Sequence, residues 1–115
     1  MIVKIVGIGD ESYPKKETGE MIEQLRLYYT AEPASDDSKI VGIIAGDDLI
    51  TAKRCPSAIN ELFDLGDKAV GKYAMISKDT AQFQGNSYSY VDSVIFLDED
   101  TALKILKGGI WWKTY

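Results

Sequence analysis

Hydrophobic positions along this chain fall into short β-branched runs separated by polar, glycine-containing stretches. Residues 2–8 run Ile-Val-Lys-Ile-Val-Gly-Ile and predict a first strand. Gly7 and Gly9 sit at its end, and the polar stretch 10–19, which holds Pro14, predicts a loop or wide hairpin turn. Residues 20–30 admit two assignments. As a strand, Ile22, Gln24, Arg26 and Tyr28 face one side, and Glu23, Leu25, Leu27 and Tyr29 the other. As a helix, Met21, Leu25 and Tyr28 share a face, and the segment is rich in helix formers. The ending Leu27-Tyr28-Tyr29-Thr30 and the Thr18-Gly19 turn signal favour the strand.

Residues 31–38 have loop composition. Residues 39–45 form a nearly continuous β-branched run that predicts a central, well-buried strand, bent at Gly42, with Gly46-Asp47-Asp48 as the turn after it. A helix is expected over 57–65: Pro56 precedes it, Ser57 is a candidate N-cap, Ile59, Leu62 and Phe63 form an apolar stripe, and Gly66 stops it. Residues 68–77 predict a fourth strand with a bend at Gly71. The polar stretch 78–87, with Gln84-Gly85-Asn86, predicts a loop, and 88–97 a fifth strand. Asp98-Glu99-Asp100-Thr101 then opens a short helix, its acidic residues at the positive end, with Ala102, Leu103, Ile105 and Leu106 as apolar contacts.

Five strands with one helix between the third and fourth is the element order of an OB-fold. The expected fold class is therefore mainly β (α+β): a five-stranded OB-like barrel over 1–97, with a short C-terminal helix and aromatic tail over 98–115 packed on the same domain. A helical 20–30 would instead give a ferredoxin-like or mixed sheet.

Composition narrows the function classes. The chain has 115 residues, 45% hydrophobic and 27% charged, enough for one domain with an ordinary core. Its net charge of −5 means that polyanion binding cannot be read from composition, although charges can segregate on a surface. There is no histidine and one cysteine, Cys55. Ser-His-Asp triads, His-containing metal sites and an intramolecular disulfide are thereby excluded, and Cys55 reads as a small structural thiol ahead of the helix. The acidic pairs at 10–11, 36–37 and 47–48 and the triplet 98–100 lack calcium-loop spacing and read as solvated turns and a helix start. Gly7-Ile8-Gly9 lacks the third glycine of a dinucleotide fingerprint. No cofactor, metal or catalytic residue is expected. The N-terminus does not have the pattern of a signal peptide and no run is long enough to span a bilayer, so a cytoplasmic location is expected.

The opening Met1-Ile2-Val3-Lys4-Ile5, the turn Lys15-Lys16-Glu17-Thr18-Gly19-Glu20 with Leu27-Tyr28-Tyr29 after it, and the later Val70-Gly71-Lys72-Tyr73 and Tyr90-Val91-Asp92-Ser93-Val94 carry a family resemblance. Together they resemble the small helix-destabilising single-stranded-DNA-binding proteins of filamentous phages, and related small proteins of phages and mobile elements of Gram-positive bacteria. The resemblance covers about residues 1–97. It implies an OB-type barrel, a homodimer and cooperative coating of single strands. The acidic charge and the C-terminal helix with its Trp111-Trp112 tail depart from it.

Single-strand binding needs cations along a groove and exposed rings on which bases stack. The candidates are Tyr13 with Lys15 and Lys16, Arg26 with Tyr28, Lys72 with Tyr73, and Phe83 behind Lys78. Tyr13 and Phe83 fall in polar stretches, where exposure is expected. Tyr28 and Tyr73 could equally be cross-strand packing partners, as could Tyr29 and Tyr90. Tyr88 and Tyr90, two apart, share one face of the fifth strand. Of Trp111 and Trp112, one ring could dock on a second subunit, or the tail could fold back on its own core. The expected function is a non-catalytic single-stranded-DNA-binding protein. The alternative is an interaction or structural accessory of a phage or mobile element.

Overall fold

The structure, a computed structural model, describes residues 1–31 and 43–105. Its frame is a five-stranded antiparallel sheet: β1 (Ile2–Asp10), β4 (Gln24–Ala31), β5 (Ile44–Thr51), β6 (Tyr73–Phe83) and β7 (Asn86–Leu97), in the order β5-β4-β1-β6-β7. Two short strands, β2 (Tyr13–Pro14) and β3 (Met21–Ile22), pair as a separate hairpin between β1 and β4. Helix α1 (Pro56–Leu65) and a 3-10 turn (Gly66–Ala69) connect β5 to β6, and residues 99–105 are helical. Among the described residues, no helix is long and apolar enough to cross a membrane.

The period-two pattern of 24–31 decides its structure. Leu25, Leu27, Tyr29 and Ala31 are buried, whereas Gln24, Arg26, Tyr28 and Thr30 face outward, so the strand assignment wins over the helical one. Val3 and Ile5 from β1, Ile50 from β5, Ala74 and Ile76 from β6 and Val91 from β7 join them on the concave face. Ala58, Ile59 and Leu62 of α1 pack into the same core. Two bulges help the sheet curl: Val6 is the extra residue of β1, and Asp92 that of β7.

Several expectations need correction. Of the strand expected over 39–45, residues 39–42, with Gly42, lie outside the described residues. The strand that is present begins at Ile44 and forms one edge of the sheet, with Ile43 and Ile44 exposed. The turn expected at Gly46-Asp47-Asp48 is strand interior. Each of these residues has a cross-strand partner: the Tyr29 ring over Gly46, Arg26 on Asp47, and Tyr29 with Lys78 on Asp48.

The N-cap of α1 is Cys55, not Ser57, because Pro56 takes the first helical position, where its missing N–H costs nothing. Phe63 is exposed, and Ala58 replaces it in the buried stripe. The fourth strand begins at Tyr73, after Gly71 has turned the chain with a positive φ of 96°. The polar stretch 78–87 is strand apart from the Gln84-Gly85 turn, so β6 and β7 extend as a two-stranded ribbon. In the C-terminal helix Asp98 Oδ1 accepts the Thr101 N–H at 2.6 Å. Ala102 is buried there, but Leu103 and Ile105 are exposed, and Leu106 lies outside the described residues. The ladder does not close into a barrel among the described residues: no hydrogen bonds join edge strands β5 and β7.

Candidate nucleic-acid interface

The eight candidate residues fall in separate places. Tyr13 lies on β2, half exposed, and Lys15 and Lys16 lie at the tip of the β2–β3 hairpin. The hairpin is tied down by Lys15 N–H to Glu20 C=O at 2.7 Å and Gly19 N–H to Lys15 C=O at 2.8 Å. Glu17 and Glu20 share the same hairpin, so its charge balances.

Arg26 and Tyr28 do share the convex face of β4. Tyr28 is 45% exposed. Its ring covers the outward space above Gly7 and Gly9 of β1, at ordinary contact distance from where a Cβ would stand. Arg26 is already paired with two carboxylates. Its guanidinium lies between Glu11 and Asp47, donating from Nη1 to Asp47 Oδ2 at 2.7 Å and from Nε to Glu11. Those hydrogen bonds, Glu11's first, raise its pKa further above an already high value. One cation against two carboxylates leaves this part of the face net negative.

Lys72 is exposed just ahead of β6 and apart from this group; its backbone N–H reaches Ala69 C=O. Tyr73 is half-buried on the convex face, opposite Lys4, whose ammonium lies 6.0 Å from the ring centroid. Phe83 sits at the ribbon tip and is 66% exposed. Tyr29 is sealed in the core, as an inward position of β4 requires. Its hydroxyl donates to Asp48 Oδ2 at 2.6 Å.

Comparison with models of known families, with curated proteins and with solved structures finds no match to this chain. The likeness to single-stranded-DNA-binding proteins therefore rests on the sequence pattern, and the site is argued from geometry.

That geometry adds one residue the sequence did not single out. Arg54, in the turn before α1, places its guanidinium carbon 3.9 Å from the Tyr90 ring centroid, a cation–π stack. Tyr88 lies beyond Tyr90, their centroids 6.2 Å apart and their planes at 49°. The shared face of Tyr88 and Tyr90 was legible from their spacing. The approach of Arg54 was not, because it depends on how α1 seats against β7.

The cleft beside α1 offers little to an anion. Of about 420 Å3, it lies between α1 and the β1–β4 end and is lined by Ile8, Leu25, Leu62, Phe63 and Val70, and its charged groups, Asp10 and Asp67, are both acidic. Cys55 is buried, its thiol donating to Val91 C=O at 3.5 Å. Burial, and then the charge of Asp92, push its pKa up, away from nucleophilic behaviour. Among the described residues no three His, Cys, Asp or Glu side chains cluster as metal ligands would.

Proposed function

We propose that this chain is a non-catalytic module that binds single-stranded nucleic acid, DNA in the first instance. One observation carries this reading. An OB barrel opened between its third and fifth strands has the order β5-β4-β1-β6-β7, and exposed rings stand where such a barrel meets oligonucleotides. Tyr13 lies in the connection between the first and second long strands, Tyr28 on the outer face of the second, and Phe83 at the tip between the fourth and fifth. Stacking tolerates any base sequence and contributes about 1–3 kcal/mol per base, so a few rings suffice even on an acidic protein. The phage or mobile-element setting rests on the sequence resemblance.

The test is an anisotropy titration with a labelled oligonucleotide at low salt, repeated as salt is raised. Binding at micromolar protein that weakens with salt is expected. No binding at that concentration, or binding indifferent to salt, removes the reading.

A protein-interaction role is the second reading, and a different observation favours it. Ile2, Met75 and Ile95 form one row across the convex face of β1, β6 and β7, with Ile95 56% exposed. A homodimer through this uncharged row would appear as a doubled mass in sedimentation, and Ile95→Glu would return it to the monomer mass. Trp111 and Trp112, the other candidates for a dimer contact, lie outside the described residues.

A further inference from the structure

The distal half of the β6–β7 ribbon presents its rings on one side. The register pairs Asp79 with Tyr90, Ala81 with Tyr88 and Phe83 with Asn86, and paired residues in an antiparallel ladder point the same way. Phe83 and Tyr88 are therefore diagonal neighbours over the small Ala81, and Tyr90 continues the row toward the body of the protein. Phe83 is 66% and Tyr88 46% exposed, so both keep an open ring face. At the inner end of the row the Arg54 guanidinium stacks on Tyr90. Arg54 makes no ion pair among the described residues, in contrast to Arg26. Two carboxylates lie near the row: Asp79, which accepts the N–H of Thr80 at 2.7 Å, and Asp92 of β7, which lines a shallow pocket together with Arg54 but forms no ion pair with it among the described residues.

We propose that Arg54, Tyr90, Tyr88 and Phe83 form the base-stacking station of this protein, a site for consecutive nucleotides of a single strand. The proposal rests on the single-strand reading and moves its centre from the convex face of β4 to the ribbon. Three features support that chemistry over an apolar peptide. The rings stand on a two-stranded support, in a row rather than around a pocket. The ribbon's own groove holds no aliphatic residue larger than Ala81 on that face. The guanidinium, already stacked on Tyr90, retains donors for a phosphate oxygen where the bases end. The β4 face has an exposed ring, but its cation is occupied by two carboxylates.

The test uses the full chain and fluorescein-labelled oligothymidylate in an anisotropy titration across a salt series. Tyr88→Ala and Phe83→Ser are each expected to weaken binding about tenfold, the middle of the range for a lost stacking partner. Arg54→Gln should weaken binding and reduce the slope of log affinity against log salt by about 0.7, the value for one phosphate contact on a single strand. Arg54→Lys should restore that slope without restoring full affinity. Tyr28→Ala is the companion variant. If the parent protein binds and Tyr28→Ala weakens it while the ribbon and Arg54 variants bind as the parent does, the station is refuted and the single-strand reading stands. If the parent does not bind, both fall. All the substituted side chains are exposed, and thermal melts establish that the variants fold.

Discussion

The ammonium of Lys78 on β6 lies 2.9 Å from Oδ1 of Asp48 on β5, although β4 and β1 stand between those strands in the sheet. On a flat sheet, strands three positions apart would be separated by about 14 Å at the usual spacing. Both residues point to the concave side, because Asp48 is paired with buried Leu27 and Lys78 with buried Val91. The contact therefore measures how far the sheet curls. It forms a side-chain link across the mouth that backbone hydrogen bonds leave open. It also assigns Lys78 to the interior side, away from the ring-bearing face of the ribbon.

Removing the two partners of this link should have unequal effects. Asp48 is mostly buried and accepts from both Tyr29 and Lys78, so Asp48→Ala leaves a half-buried hydroxyl and an ammonium without their acceptor. It should destabilise the fold by about 1–3 kcal/mol. Lys78 is more exposed, and Lys78→Met should cost under about 1 kcal/mol, as surface pairs do. Urea unfolding of both variants checks this. Equal losses would show that the Tyr29 bond contributes nothing beyond the ion pair.

Gly46 is required by the ring opposite it. A Cβ at this position would stand 3.1 Å from Cε1 and 3.3 Å from the hydroxyl oxygen of Tyr29, tighter than ordinary contact. Gly46→Ala should therefore cost about 1–3 kcal/mol through displacement of a buried ring. In a Tyr29→Leu background the same substitution should be close to neutral, since the atoms it meets are gone. A double-mutant cycle by denaturant unfolding measures the coupling, and additive effects would remove the steric explanation.

What the sequence discloses is local, and what it hides is tertiary. The alternation Leu25, Leu27, Tyr29 is a pattern of single positions, and it placed the strand and buried Tyr29 despite a helix-rich composition. Gly46-Asp47-Asp48 has turn composition, and only the partners Tyr29, Arg26 and Lys78, distant in sequence, explain why it is strand. Tyr13 and Phe83 were correctly legible as exposed. Arg26 looked like a binding cation because Glu11 and Asp47, which occupy it, come from a neighbouring loop and strand. Arg54 carries no local signal because its ring partner, Tyr90, is on β7.

The ribbon turn should respond to its own local chemistry. Gln84 and Gly85 both have positive φ, 52° and 81°, the pattern of a type I′ two-residue hairpin turn. Such turns favour Asn at the first position, so Gln84→Asn should raise stability. Gly85→Ala should lower it by about 1–2 kcal/mol, the penalty for a Cβ in left-handed backbone. If the ribbon carries the stacking station, Gly85→Ala should also weaken oligonucleotide binding, whereas Gln84→Asn should leave binding unchanged or improved. Amide exchange at Ala81 and Tyr88, the third cross-strand pair from the turn, reports its effect on the ribbon. Unchanged protection in both variants would mean that the turn does not hold the ribbon.

Tyr29 should make stability sensitive to alkaline pH. Burial, and then the hydrogen bond and charge of Asp48, oppose loss of its proton, so its folded pKa lies above the ordinary value of 10. In the unfolded chain it ionises near 10. Above that pH the unfolded state binds fewer protons than the folded one, and stability falls as pH rises; below it the contribution is complete. For one group the slope approaches about 1.4 kcal/mol per pH unit. Denaturant unfolding at intervals from about pH 8 to pH 11 should therefore show a steeper decline in the parent than in Tyr29→Phe, which has no proton to lose. At neutral pH that variant should be less stable by about 1–2 kcal/mol for want of its bond to Asp48. Parallel declines in the two proteins would mean that water reaches the hydroxyl and that the link between β4 and β5 is open in solution.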